Sequence, residues 1–276
     1  METKDLFDLG LQADLAMVRQ TPMTRRRVLK LGLLGVSAFL ASCVAPSATS
    51  TSTSSGAVGA SDSCVSAIPT ETAGPYPADG SNASNQDLNA LTLSGIVRND
   101  MRTSLGTGNV AEGLLFNLEM KLVNINAGCA PLAGYAVYAW HCNRDGDYSM
   151  YSTAVVDEDY LRAVQAADSE GVVKFTSIFP GCYSGRWPHI HFEVYPSLET
   201  ANTARNAVLT SQIALTQEAC QAAYATAGYE ASLRNLSQIS LSTDNIFRDG
   251  ADLQLATMTG DSAGGYTAKI TVGIAA

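Results

Sequence analysis

The feature of the sequence that most constrains its fold is a set of short segments in which apolar and polar residues alternate. In residues 115–125, Phe116, Leu118 and Met120 take every second position, so that one face is apolar and the other is polar. Further strands are predicted, between turns rich in Gly, Asn, Asp and Pro, in residues 135–141, 171–179, 186–194, 212–215 and 267–274. Short strands of this kind are typical of an all-β fold, an antiparallel β-sandwich.

Helical signals are few. Residues 216–226 have a helical composition, and Thr216 is placed to begin that helix. Residues 159–167 fit either a turn of helix or an irregular strand. The sandwich is therefore expected to carry few short helices.

The first residues of the chain predict an export signal. Residues 25–27 are three arginines, and a short apolar run follows in residues 31–40, which together have the form of a twin-arginine signal. Residues 40–43 (LASC) resemble a bacterial lipobox, which would make Cys43 the lipidated first residue of the mature protein. Cleavage without a lipid, and a start at Met23 instead of Met1, both stay open.

Three regions follow from these signals. Residues 1–43 are expected to be the twin-arginine signal with its lipobox, and residues 44–63 a disordered Ser/Thr-rich tether that cannot bury enough apolar surface to fold. Residues 64–276 form one predicted catalytic domain, long enough for one substantial core. The expected location is periplasmic or at the cell surface, with a membrane tether through lipidated Cys43.

The charge of the chain excludes some partners. The chain has 17 basic and 26 acidic residues, a net charge of −9. Nucleic acids and anionic membrane surfaces select for basic patches, so neither is expected to bind. The balance says little about a small-molecule substrate.

The cysteines of the predicted domain are five in number, so at least one is expected to stay free or to pair between chains. Their spacing does not fit a zinc site and leaves their pairing open. The pairs to test first are Cys64 with Cys129 and Cys182 with Cys220.

Two of the three histidines lie one residue apart, His189 and His191. In an extended strand they share one face, while Ile190 and Phe192 share the other. The pair is equally compatible with hydrogen-bonded or solvent-facing histidines and with a metal site, because neutral imidazole is a common metal ligand. Further ligands are needed to decide.

Three segments resemble the intradiol ring-cleavage dioxygenases, non-haem iron(III) enzymes that open catechols between their two hydroxyls. They are ETAGPY (residues 71–76), AVYAWHCNRDGDYS (136–149) and the block from Tyr160 to Val194 that ends in RWPHIHFEV. The resemblance implies one Fe(III) per chain, held by Tyr148, Tyr183, His189 and His191. Phenolate is a hard anionic donor that suits a ferric ion, whereas two histidines and one carboxylate suit iron(II).

The resemblance also implies a substrate and the residues around it. A catechol and O₂ would give a muconate-type diacid, with Tyr183, Arg186 and Gln212 catalytic, Arg186 stabilising negative charge, and the cleft walled by Gly74, Pro75 and Tyr76. His141 is expected to have a structural role or to lie behind the metal ligands without binding the metal. The long helical N-terminal dimerisation region of the catechol-specific branch is missing, which favours a shorter, exported branch. A homodimer stays open.

Two other functions compete with this one. An exported β-sandwich could bind a catechol or iron without turnover. A zinc or copper enzyme could use His189 and His191 with a carboxylate, but two tyrosines have no role among the usual zinc ligands. Iron-loaded protein that takes up oxygen with a catechol would separate the dioxygenase from the binding protein.

Overall fold

The structure is a computed structural model that describes residues 64–276. The predicted signal (residues 1–43), with Cys43, and the predicted tether (residues 44–63) lie outside the described residues. Within residues 64–276, none of the helices has the length and apolar character needed to cross a membrane.

Nine strands and two α-helices make up the described chain. The strands are β1 (Leu115–Asn124), β2 (Ala130–Pro131), β3 (Ala136–Trp140), β4 (Arg162–Ala166), β5 (Val172–Ile178), β6 (His189–Tyr195), β7 (Leu209–Ala214), β8 (Thr257–Asp261) and β9 (Gly265–Ile274). The helices are α1 (Gln217–Tyr224) and α2 (Glu230–Leu236). Short 3₁₀ helices cover Ala90–Thr92, Ile125–Ala127, Thr153–Val155, Ala204–Asn206 and Phe247–Asp249.

The strands form two sheets. The five-stranded sheet has the order β2-β1-β9-β8, with β5 also paired to β1, and the four-stranded sheet has the order β4-β3-β6-β7. The predicted all-β sandwich with few helices is confirmed. One pairing departs from the antiparallel expectation, since β1 and β9 run parallel. Alternation of apolar residues reports which face of a strand is buried and carries no information about the direction of its neighbour.

Two hydrophobic clusters cover the two faces of the four-stranded sheet. The larger lies between the sheets and includes Phe116 and Leu118 from β1 with Ile190 and Phe192 from β6. The smaller lies on the outer face of the four-stranded sheet, and its members include Tyr76, Tyr138, Trp140, Tyr148, Tyr151, Tyr183 and Tyr195. The outer face of this sheet is therefore buried as well.

Some local predictions are confirmed and others are resolved or missed. Thr216 caps α1 as expected, because its side chain accepts a hydrogen bond from the backbone N–H of Ala219. Of the two options for residues 159–167, the structure has the strand, β4. Helix α2 and strand β8 carry no clear periodic signal and were not predicted.

The cysteines follow the expected pairs only in part. Cys64 and Cys129 form a disulfide, which confirms the first pair. The second pair is wrong, because Cys182 and Cys220 are buried free thiols, as is Cys142. The thiol of Cys182 points back into its own turn, 3.5 Å from the carbonyl oxygen of Arg186.

Candidate metal centre

His189 and His191 bring their imidazoles together on the outer face of the four-stranded sheet. Both lie on β6, one residue apart, so the alternation of a strand gives them the same face. Each is 2% exposed, and their Nε2 atoms are 3.0 Å apart. Burial lowers the pKa of both imidazoles well below the ordinary value, so both are neutral at physiological pH.

The lone pair of His189 Nε2 is the centre of the site. His189 Nδ1 lies 2.5 Å from the carbonyl oxygen of Trp187, which can only accept, so Nδ1 carries the proton and Nε2 is left with its lone pair. Three groups meet that lone pair: His191 Nε2 at 3.0 Å, Tyr183 Oη at 3.4 Å and Tyr148 Oη at 3.5 Å. One lone pair accepts one good hydrogen bond, so the Nε2 of His189 cannot satisfy all three groups at once.

The two tyrosines come from different loops that a glycine holds together. Tyr148 follows β3, and Tyr183 lies in the connection between β5 and β6. Gly181 donates its backbone N–H to the carbonyl oxygen of Asn143 at 3.0 Å. A Cβ on Gly181 would lie 2.6 Å from that oxygen, so only glycine permits this approach. The contact between Gly181 and Asn143 thus holds the two loops together where they meet.

The four donor atoms fit one metal ion. Ligands bound at about 2.1 Å from a first-row metal lie about 3 Å apart when they are adjacent, close to the 3.0 to 3.5 Å found here. Within residues 64–276, no group of three or more His, Cys, Asp and Glu side chains is placed to bind a metal. A metal at this site would therefore need the tyrosines among its ligands.

The electrostatics of the site also favour a cation. Burial raises the pKa of Tyr148 well above its ordinary value, and the neighbouring Tyr183 raises it further. A phenol in this setting ionises only beside a strong positive charge. A trivalent ion supplies that charge, so the residues present fit Fe(III).

Aromatic rings fix the orientation of the donors. Trp140 stacks on the His191 ring, with centroids 5.0 Å apart and planes 6° from parallel. The two residues are direct partners in the β3–β6 register. On the other side, the Tyr76 ring lies 4.9 Å from the Tyr148 ring. These contacts hold the imidazole and the phenol in place before any ligand binds.

Arg186 and Gln212 lie together beside the histidines. Gln212 pairs with His191 in the register between β6 and β7. Its Oε1 accepts a hydrogen bond from Arg186 Nη2 at 2.6 Å, and its Nε2 donates to the carbonyl oxygen of Thr72 at 2.9 Å. The structure therefore brings two of the predicted catalytic residues into direct contact.

The predicted cleft segment is placed less completely. Tyr76 contacts Tyr148 as described above, while Gly74 forms a turn at φ 73° and Pro75 accepts a hydrogen bond from Ser84. All three are buried. The role of Gly74 and Pro75 as walls of the cleft stays a prediction.

Arg162 holds the segment of Tyr76 through hydrogen bonds to its backbone. It is 1% exposed, and its five N–H groups all donate to uncharged oxygens, including those of Tyr76, Pro77 and Ser149. One side chain thereby ties the segment of Tyr76 to the loop of Tyr148.

His141 has structural partners. Its Nδ1 and Nε2 lie 2.7 Å from the Cys142 carbonyl oxygen and the Ser177 hydroxyl respectively. Burial lowers its pKa to about 4, so it is neutral. The structure gives His141 a bridge between β3 and β5, as expected for a structural role.

Sequence reasoning missed Asp244 and Glu71. Asp244 is fully buried and pairs with Arg186, 58 residues away along the chain. Burial raises the pKa of Glu71 to about 7, with Asp249 adding to the shift and Arg186 opposing it. Glu71 lies in the quoted segment ETAGPY, where its charge was the available signal, whereas Asp244 stands in no motif.

Comparisons with known proteins bear on the fold. No protein-family model and no curated protein matches the sequence. Among solved structures, an intradiol ring-cleavage dioxygenase from Tetranychus urticae is 22% identical, with 66% of this chain and 87% of that chain covered and a TM-score of 0.53. A second dioxygenase structure has the same identity and coverage and a TM-score of 0.52.

A third solved structure is the dioxygenase domain of a carbohydrate-binding fusion protein from Streptomyces sp. SirexAA-E. It is 18% identical, with 76% of this chain and 98% of that chain covered and a TM-score of 0.47. Identities at this level identify a fold rather than an activity. On the first two likenesses, the chain has the fold of the intradiol ring-cleavage dioxygenases.

Proposed function

We propose that this protein is a non-haem iron(III) dioxygenase of the intradiol type, which inserts both atoms of O₂ into a catechol and opens the ring between its two hydroxyls. The observation that carries the proposal is that two phenol oxygens and one imidazole nitrogen lie 3.0 to 3.5 Å from the Nε2 of His189 in a buried site. The fold supports it, since the two structures with this fold named above are dioxygenases.

Tyr148, Tyr183, His189 and His191 would hold one Fe(III) per chain. Bound there, the ion would act as a Lewis acid and a template for the catechol and O₂. Two anionic oxygen donors favour the ferric over the ferrous state because they compensate its higher charge. The two imidazoles complete the set of ligands as neutral donors and need not lose a proton to bind, since the pKa of each is already well below its ordinary value.

The side chains around the donors have separate tasks in this proposal. Tyr183, ionised as a phenolate when the ion is bound, would take up the proton of one catechol hydroxyl and become a neutral phenol, a transfer between groups of similar acidity. The Arg186 guanidinium stabilises negative charge that develops on the substrate oxygens, and Gln212 holds it at 2.6 Å. Tyr76 and Trp140 keep water from the buried donors by covering the rings of Tyr148 and His191.

The proposed place of the reaction in the cell rests on the sequence of the first 63 residues. We propose export by the twin-arginine route and attachment through lipidated Cys43, with residues 44–63 as tether and residues 64–276 as catalytic domain. The substrate would then be an extracellular or periplasmic catechol, and the product a cis,cis-muconate-type diacid.

The test uses iron-loaded, purified protein. It should contain one iron per chain, show a burgundy tyrosinate-to-iron(III) charge-transfer band, and consume one O₂ per catechol cleaved. Oxygen uptake by electrode and product detection by mass spectrometry measure this. A coloured protein whose band shifts with catechol but which consumes no oxygen would contradict the proposal and identify a catechol-binding protein. A colourless iron-free protein would contradict both.

A further inference from the structure

Arg186 and Asp244 form a buried ion pair beside the candidate metal centre. Arg186 Nε lies 3.0 Å from Asp244 Oδ2, and both side chains are 0% exposed. Of the ion pairs found in residues 64–276, this one has both side chains fully buried. In each of the others, both side chains are partly exposed. Burying two charges costs desolvation that their attraction does not reliably offset, so stability alone is a weak reason for this pair.

The carboxylate of Asp244 is fixed from several sides. Its Oδ2 also accepts a hydrogen bond from the backbone N–H of Trp187 at 2.7 Å. Its Oδ1 accepts from the backbone N–H groups of Ile246 and Phe247 at 2.8 and 3.2 Å. Hydrogen bonds to the charged form keep a buried carboxyl ionised. Asp244 therefore presents a fixed negative charge to Arg186.

The guanidinium is held on its other side as well. Gln212 accepts from Arg186 Nη2 at 2.6 Å, and the carbonyl oxygen of Gln212 accepts from Gln254 Nε2 at 3.1 Å. The carboxyl of Glu71 is also within electrostatic reach of Arg186 and Asp244. The guanidinium of Arg186 is thus held between Asp244 and Gln212, with the carboxyl of Glu71 as a second acid near it.

We propose that Asp244 is a positioning residue that fixes Arg186 and offsets its net charge, so that Arg186 acts on the catechol oxygens as an oriented hydrogen-bond donor and the site discriminates against catechols that carry a carboxylate substituent. This inference rests on the proposed function and names its substrate class. Within residues 64–276, Arg162 is the other buried arginine, and it offers no alternative receptor for a substrate carboxylate because its five N–H groups are already used by uncharged oxygens. An anionic ring substituent would therefore meet an arginine whose charge Asp244 already offsets, whereas the catechol oxygens would bind at the metal centre.

The experiment measures binding without turnover. Full-length iron-loaded protein is titrated anaerobically with catechol and with 3,4-dihydroxybenzoate, and the shift of the charge-transfer band gives each Kd. We expect catechol to bind at least about tenfold more tightly. Equal affinities, or tighter binding of 3,4-dihydroxybenzoate, would overturn the inference whatever the variants show.

Variants then assign the preference to the ion pair. Asp244→Asn removes the charge of a side chain of the same shape and should reduce the ratio of the two Kd values by about tenfold or more. Asp252→Asn removes an equal charge from an exposed residue eight positions along the chain and should leave the ratio within about twofold. Weakening of both ligands by the same factor in Asp244→Asn, or an equal change in Asp252→Asn, would overturn the role of Asp244.

A further variant covers the case in which Asp244→Asn does not fold. Asp244→Glu retains the charge and should retain the preference, so if Asp244→Asn does not fold, loss of the preference in a folded Asp244→Glu would overturn the inference. Its failure and that of the proposed function are distinct. Protein that binds catechol selectively without oxygen uptake contradicts only the proposed function, whereas protein that cleaves catechol yet binds both ligands equally contradicts only this inference.

Discussion

The two sheets of this protein differ in what covers their outer faces. On β1 of the five-stranded sheet, buried residues alternate with exposed or half-exposed ones, such as Glu119 and Lys121. On β6 of the four-stranded sheet all seven residues are buried, although His189 and Glu193 are polar. The difference arises because residues 71–91 and the tyrosine loops cover the outer face of the four-stranded sheet.

This comparison shows why the candidate site lies where it does. On the open outer face the polar side chains stay in contact with water, and their ion pairs, such as those of Glu119 with Lys174 and Lys269, remain partly exposed. A covered outer face removes them from water, so each must find a partner or a metal. The same alternation of apolar and polar residues thus gives a solvated surface on one sheet and a buried group of donors on the other.

The largest expected effect is that of removing a tyrosine ligand from the covered face of the four-stranded sheet. Tyr148→Phe removes a donor from the four-stranded side, and we expect the charge-transfer band to weaken and catechol turnover to fall by at least about 100-fold, because an anionic ligand is lost. Absorption spectra, iron content and oxygen uptake measure this.

Tyr266→Phe is the matched control on the five-stranded sheet. Tyr266 is buried on β9, and its hydroxyl has no hydrogen-bond partner within residues 64–276. The substitution should leave colour, iron content and activity unchanged. Equal losses in the two variants would show that the tyrosines act only through packing.

The next effect concerns Arg162, which holds the segment that covers the outer face of the four-stranded sheet. Arg162→Met leaves several buried oxygens without their donor, and we expect the free energy of unfolding to fall by about 3–5 kcal/mol. Urea denaturation followed by circular dichroism measures it. Lys174→Met, on the exposed face of the other sheet, removes a pair with Glu119 in which the lysine is 69% exposed, and should cost less than about 1 kcal/mol. Similar losses would show that the cover is not held by Arg162.

The disulfide separates stability from the site. Cys64 and Cys129, 65 residues apart in sequence, close a long loop at the five-stranded sheet. Replacing both by Ser should lower the stability by about 3–4 kcal/mol, mainly because the unfolded chain is less constrained, while the charge-transfer band stays the same. Thermal unfolding with and without the disulfide, at fixed iron content, tests this. A changed band would mean that the disulfide also shapes the metal centre.

The smallest expected effect is a difference in pH dependence between the two sheets. Burial raises the pKa of Glu71 from 4.5 to about 7, so the folded state binds more protons than the unfolded state between these values. Its contribution to stability therefore falls as the pH rises from about 4.5 to 7. Glu71→Gln should remove this fall, as measured by urea denaturation across that range.

Glu119 supplies the opposite sign. Lys269 lowers its pKa in the folded state, so it contributes stability above its unfolded pKa that is lost as the pH falls. Glu119→Gln should make stability less dependent on pH in the acidic range. The same direction of change in both variants would contradict the assigned environments.

The sequence predicts much of the fold because most of its signals are local. Alternation in residues 115–125 places β1 within one residue of its end, and the His189–Ile190–His191 pattern gives the correct inner and outer faces of β6. The turn residue Gly181 stands beside Tyr183 in the same motif. Patterns of this kind need only the period of a strand and the chemistry of a turn.

The features that were predicted wrongly or not predicted depend on distant parts of the chain. The parallel pairing of β1 with β9 and the free thiols of Cys182 and Cys220 differ from the prediction, and the pairing of Arg186 with Asp244 was not predicted. All three involve residues far apart in sequence. Neither spacing nor composition states which segments will meet.

By itself the sequence determined the two faces of each strand, and hence that His189 and His191 share a face and that β1 has one apolar side. The tertiary structure alone decided that the outer face of β6 is covered, that two tyrosine loops meet over it, and that Asp244 reaches Arg186. The physical reason is that side-chain direction follows from the backbone period of a few residues, whereas burial and charge pairing depend on which distant segments exclude water from the same place.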